Sequence, residues 1–226
     1  MDLKAMFPNL NAMWTRWSAY EVAERHGVRY LMPSPSAEPF TYSCADQLET
    51  LVADAVELGR KVTEDAAELD RACAAFAAHH GLLGLGGGKD ADLFAKGDVV
   101  PVYRPVNEKE YGEELERFQV EMTALYQHFV SSRGEAIAVN AIPAITGSLS
   151  YKLTSDQTPQ LIWETDGLRN VLRLAYSAII TGPSTSLKVC KNCGKVYYNP
   201  HAKSEFCSTK CRNYYNVKAF RAKGEK

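Results

Sequence analysis

From Ser43 onward apolar residues return at helical spacing: Leu48, Leu51, Val52, Ala55 and Leu58 share one face until Gly59. Leu69, Ala72, Cys73, Phe76 and His80 form a second stripe, which Gly81 ends. Both predict amphipathic helices. The segment Leu82 to Asp92, with Gly84, Gly86, Gly87 and Gly88, reads as a flexible loop. Asn107 and Glu110 have the spacing of a capping box, and Tyr111, Leu115, Phe118, Met122, Leu125 and Phe129 then mark one face of a long helix. Further on, Leu149, Tyr151 and Leu153 alternate with polar neighbours, and a second short run covers Gln160 to Glu164, which predicts a β-hairpin. Asp166 can cap a helix with Leu168, Val171, Leu172, Ala175 and Ile179 on its face, stopped by Gly182 and Pro183. The first forty residues carry Pro33, Pro35 and Pro39, and only Val28 to Met32 suggests a strand there. The pattern predicts an α+β fold: a mainly helical body over 1–182, then a separate tail over 187–226.

Composition fits a globular chain: 226 residues, 46% hydrophobic and 23% charged. The longest apolar run, Ala72 to Ala78, is far short of the roughly 18 residues of a membrane span, so no membrane role is expected. No secretory signal pattern follows Met1, which points to the cytoplasm and to reduced cysteines. The net charge of −1 hides a division. From Leu187 on, ten Lys and Arg stand against Glu205 and Glu225, a local +8, and the preceding 186 residues carry −9. A basic tail on an acidic body suits a polyanion partner, although the two halves can also attract each other.

Cys190 and Cys193 enclose two residues, thirteen follow, and Cys207 and Cys211 enclose three. A Cys-x2-Cys turn makes two thiolates converge, and the i and i+4 positions of a helix aim a second pair the same way, as one tetrahedral Zn2+ requires. Two disulfides conflict with a cytoplasmic setting, and a redox pair at Cys190 and Cys193 lacks the βαβ surroundings. A strand over Lys195 to Tyr198, a turn at Asn199, Pro200 and His201, a return strand at Glu205 and Phe206, and a helix from near Ser208 give a treble-clef zinc finger. His201 is a turn residue, since four thiolates close the site and leave no position for an activated water. Cys44 and Cys73 read as buried thiols. The Gly182-Pro183 boundary predicts that chelation unfolds the tail alone.

On the zinc helix, Lys210, Lys218 and Arg221 fall within an arc of about 80° at 100° per residue, with Arg212 and Lys223 on the far side. Tyr214, Tyr215 and Phe220 are interleaved with them, which suits phosphate contact with stacking. Arg212, Lys218, Arg221 and Lys223 are the candidate phosphate contacts, and Asn213 and Tyr214 the candidate base or sugar contacts. The alternative is a protein-interaction or dimerisation element that uses Val217 and Phe220. No enzyme motif stands up: Gly88-Lys89 is followed by Asp90, the Gly86 and Gly88 pattern follows a helix rather than a strand, and His79 and His80 read as cations at a helix end. Trp14, Trp17 and Trp163 read as core.

The run Cys190-Lys191-Asn192-Cys193-Gly194-Lys195 and the run Phe206-Cys207-Ser208-Thr209-Lys210-Cys211-Arg212-Asn213, behind a helix with a Gly-Pro stop, resemble the bacterial CGNR-type zinc-finger proteins. Arg212 stands where that family has glycine and Tyr214 where it has arginine. The resemblance implies an α/β region called ABATE ahead of the finger, and a role as a stress-linked, DNA-binding transcription regulator.

Overall fold

Helix α1 (Leu48–Thr63) sits at the centre of the architecture. The computed structural model describes residues 9–85, 109–134, 144–155, 157–165, 167–182, 186–201 and 203–224, with the side chains of 223 and 224 left out. Within it α1 is not half-exposed: apart from Asp54, every residue from Leu51 to Gly59 is buried. The reason is that α2 (Leu69–His80), α3 (Leu115–Ser132), α4 (Leu168–Ile180) and strand β10 (Val196–Tyr198) cover it in turn. A helix enclosed in this way needs an apolar surface all round. Gly59 does not end α1 as its position suggested. Its missing side chain lets α3 come close, and a Cβ there would lie 2.1 Å from the Met122 carbonyl oxygen and 2.9 Å from Tyr126 Cβ.

The N-terminal segment departs furthest from expectation. In place of one short strand it forms β1 (Leu10–Asn11), β2 (Met13–Trp17), β3 (Tyr20–Arg25), β4 (Val28–Pro33) and β5 (Pro39–Ser43). A tight turn at His26 (φ 51°) and Gly27 (φ 77°) joins β3 to β4, both residues being left-handed as a two-residue hairpin requires. β2 pairs antiparallel with β5, and β4 also takes on β6 (Glu113–Glu114). Trp17, Tyr20 and Leu31 face the core, and Trp14 packs beside it. The expected hairpin is present as β7 (Ser150–Leu153) and β8 (Leu161–Glu164), with Trp163 opposite Tyr151 and β8 running parallel to β1. The chain is therefore a mixed α+β protein with five α-helices among the described residues. No helix there is long and apolar enough to cross a membrane.

Helix α3 starts at Leu115, later than the capping-box reading placed it, because Glu113 and Glu114 are spent on β6. Asn107 lies outside the described residues, as do Asp166, expected to cap α4, and Pro183 at the expected boundary. The apolar face is as expected: Leu115, Phe118, Met122, Leu125 and Phe129 are buried. Cys44 and Cys73 are buried, and burial pushes both thiols up to about 11.

Two carboxylates inside this core replace apolar contacts. Glu113 accepts the backbone N–H groups of Leu83, Gly84 and Leu85 and the Tyr111 hydroxyl. Full burial pushes its carboxyl above the usual range, against the donated bonds that favour the ionised form. Residues 82–85, expected to begin a flexible loop, are thus held in place; residues 86–92 lie outside the described set. Glu57 receives the Arg60 guanidinium at 2.8 and 2.9 Å and the Val196 amide at 2.8 Å, which ties β10 to α1. β10 in turn pairs antiparallel with β9 (Leu187–Val189), and Leu187 and Val196 belong to the same buried cluster as the body. Because the hairpin shares the core, chelation is no longer expected to release the whole tail.

The close approach at Gly59 provides a direct check. Gly59→Ala forces a methyl against backbone rather than a yielding side chain, and should cost about 3 kcal/mol, the upper end of ordinary overpacking. Urea unfolding measures it, and a loss within experimental error would contradict the α1–α3 contact.

Candidate metal centre

Strand β9 leads into a tight knuckle. The Cys190 amide donates to the Lys195 carbonyl at 2.9 Å, the Gly194 amide to the Cys190 carbonyl at 2.9 Å, and Gly194 takes φ 72°, which reverses the chain into β10. Cys190 and Cys193 end up on the same side of this turn. The second pair comes from helix α5 (Thr209–Gly224) and the segment just before its start. Ser208 is the helix cap, its Oγ accepting the Cys211 amide at 3.2 Å while its carbonyl accepts the Arg212 amide at 3.1 Å. Cys207 and Cys211 are thereby presented one helical turn apart.

The structure brings all four predicted cysteines together, every ligand atom within 4.8 Å of the others. Cys193 Sγ lies 3.7 Å from Cys207 Sγ and 3.7 Å from Cys211 Sγ, and Cys207 to Cys211 is 3.5 Å. Such a set of soft donors converging on one point can hold a metal ion. Burial works against ionising Cys190, but the amides of Cys207, Cys193 and Asn192 outweigh it and hold its pKa down to about 6. Cys207 goes the other way, to about 12, pushed by burial and by the neighbouring thiols of Cys211, Cys190 and Cys193. Four thiolates in contact repel one another, and a cation at their centre is what lets all of them ionise.

The surrounding loop is braced without metal. Lys191 and Glu205 pair through both side chains and backbone, the backbone bond being 3.0 Å. Lys188 donates to the carbonyls of Ser204 and His201, and Tyr197 to that of Ser204 at 3.2 Å. The return strand expected at Glu205 and Phe206 is absent: β10 finds its partner in β9, ahead of the knuckle, where Leu187 faces the core. His201 is exposed, outside the thiol cluster, and its amide donates to the Asn199 side chain at 2.9 Å.

Of the other predicted residues, Arg212, Asn213, Tyr214, Lys218 and Arg221 are all exposed on α5; the Lys223 side chain lies outside the described set. Arg212 lines an open cleft of about 470 Å³ with Lys203, Ser204, Ser208 and Thr209. Tyr214, Lys218 and Arg221 share the opposite side of the helix at 100° per residue. Tyr214, Val217 and Phe220 are 68, 51 and 78% exposed, so α5 does not lay these residues on the body among the described residues. Compared with protein-family models, with curated proteins and with solved structures, the chain matches none.

Thiol chemistry tests the centre. In the metal-loaded chain the four clustered cysteines should resist a thiol reagent such as DTNB, react after a strong chelator is added, and leave Cys44 and Cys73 silent until unfolding. Rapid reaction of the cluster before chelation would count against a bound ion.

Proposed function

We propose that this chain is a zinc-binding, nucleic-acid-binding regulator in which a treble-clef finger of CGNR type presents helix α5 to DNA. Zinc is favoured by size and softness: tetrahedral sites with Zn–S bonds of about 2.3 Å have sulfur–sulfur edges of about 3.8 Å. The observed separations of 3.5 to 3.7 Å lie close to that edge. A site of four thiolates is coordinatively closed, so its role is to fix the finger rather than to activate water, and the reading is a binding protein rather than an enzyme. The body, as the ABATE-like portion, is the part available for a second input, and the cytoplasm is the compartment that suits reduced thiols.

One observation carries the reading: α5 leaves the metal centre with its cations and aromatics turned to solvent, Lys210, Arg212, Lys218 and Arg221 beside Tyr214 and Phe220. Solvated lysines and arginines next to exposed rings are what phosphate contact and stacking require. Tyr215 is partly taken up by Phe206, with ring centroids 5.3 Å apart, so Tyr214 is the freer ring. The 51% exposed Val217 and 78% exposed Phe220 favour a second reading, self-association or a protein partner through the same helix.

Salt dependence separates the two. Three to five phosphate contacts on duplex DNA give a slope of log affinity against log salt of about −3 to −4.5. Lys218→Ala or Arg221→Ala should each reduce that slope by about one unit with metal content unchanged. Asn213 or Tyr214 substitutions should weaken binding at unchanged slope. Absence of binding to duplex DNA, single-stranded DNA and RNA at about 50 mM salt would overturn the proposal, since phosphate contacts are strongest at low salt.

A further inference from the structure

A second group of metal-ligating side chains lies away from the cysteines, where α2 ends against α1. His79 and His80 are the last two residues of α2, and Asp54 projects from the middle of α1. One donor atom from each lies within 4.8 Å of the others. His80 Nε2 donates to Asp54 Oδ2 at 3.0 Å, and the two imidazole rings stand with centroids 4.5 Å apart. Consecutive residues of a helix point about 100° apart, so two neighbouring rings gathered beside one carboxylate are not what helical geometry supplies unaided.

The end of α2 is also fixed from outside. Arg16 on β2 donates to the Ala78 and His79 carbonyls, Tyr42 on β5 donates to the His80 carbonyl at 2.6 Å, and Trp14 holds the Leu82 carbonyl at 2.9 Å. Gly81, at φ 88° and with the Trp14 ring 2.9 Å from where a Cβ would lie, carries the chain sharply away. The backbone that bears both histidines is thus held in advance of any ligand. His80 forms a floor at 0% exposure, while Asp54 is half-buried and His79 exposed. His80 Nδ1 is buried with no hydrogen-bond partner among the described residues. An ion can take the Nε2 that faces Asp54 only in the tautomer with the proton on Nδ1, so its binding replaces the hydrogen bond to Asp54.

We infer that Asp54, His79 and His80 form a second metal site, open on the solvent side, that takes a first-row divalent transition ion. Two imidazole nitrogens and one carboxylate oxygen suit zinc, nickel or cobalt, and three protein donors leave coordination positions for water or an anion. Lys195, on the knuckle, acts on Asp54 and competes with the ion for it, and the Arg16 guanidinium is occupied by carbonyls and by the Tyr42 ring. The site owes nothing to the nucleic-acid reading.

The test uses the full chain with its cysteine centre already loaded with zinc, titrated calorimetrically with nickel or with further zinc. The expected result is one additional ion per chain, bound at least about tenfold more weakly by His79→Ala and by Asp54→Asn, since losing a ligand costs no less than losing an outer-shell partner. His79 is exposed, so its variant should keep the wild-type melting temperature. Cobalt substitution reports the two sites separately, because only the cysteine centre gives a thiolate-to-metal charge-transfer band, and that band should be the same in both variants. No additional ion at millimolar metal, or additional binding that neither substitution weakens, would overturn the site.

Discussion

The Glu57 carboxylate is the constraint on which the C-terminal tail from Leu187 depends. It is buried on the central helix, where an unpaired charge would be prohibitive, and its oxygens are shared between the Arg60 guanidinium and the Val196 amide. Removing one partner of a buried pair of this kind costs about 3 to 5 kcal/mol. The hydrogen bond to Val196 therefore joins the β9–β10 hairpin to α1 rather than merely laying it alongside. With Leu187 and Val196 in the common core, one rim of the cysteine centre is set by the body.

That arrangement divides the labour between core and metal. Burial and Glu57 hold the knuckle that bears Cys190 and Cys193, whereas among the described residues Cys207, Cys211 and α5 add nothing to the buried apolar cluster. From Arg212 to Arg221 the helix is exposed throughout, and an isolated helix of this length is marginal in water. A metal joining its first turn to the knuckle supplies the missing anchor and leaves the basic, aromatic surface free apart from Tyr215, which packs on Phe206.

Much of this is legible in the chain because it is local. The stripes of α2, α3 and α4, the hairpin at 150–164 and the cysteine spacing each depend on residues a few positions apart. The N-terminal strands are hidden because β2 finds its partner only at β5, across an intervening hairpin, and no period announces that pairing. Nothing in the sequence marks Glu57 and Glu113 as buried, since their backbone partners lie 139 and up to 30 residues away. Gly59 reads as a helix stop for the same reason: only the approach of Met122 reveals what its missing side chain is for. His79 and His80 read as cations at a helix end, yet His80 is fully buried beside Asp54, and burial lowers its pKa despite that bond.

Hydrogen exchange with and without chelator addresses the division between core and metal most directly. Removing the ion should strip protection from the α5 amides and from the loop at 203–208. The Val196 amide, bonded to Glu57, and the amides of α1 should exchange at unchanged rates. Loss of protection at Val196 together with α5 would contradict the account, since it would mean that the metal, and not the buried carboxylate, holds the hairpin to the body.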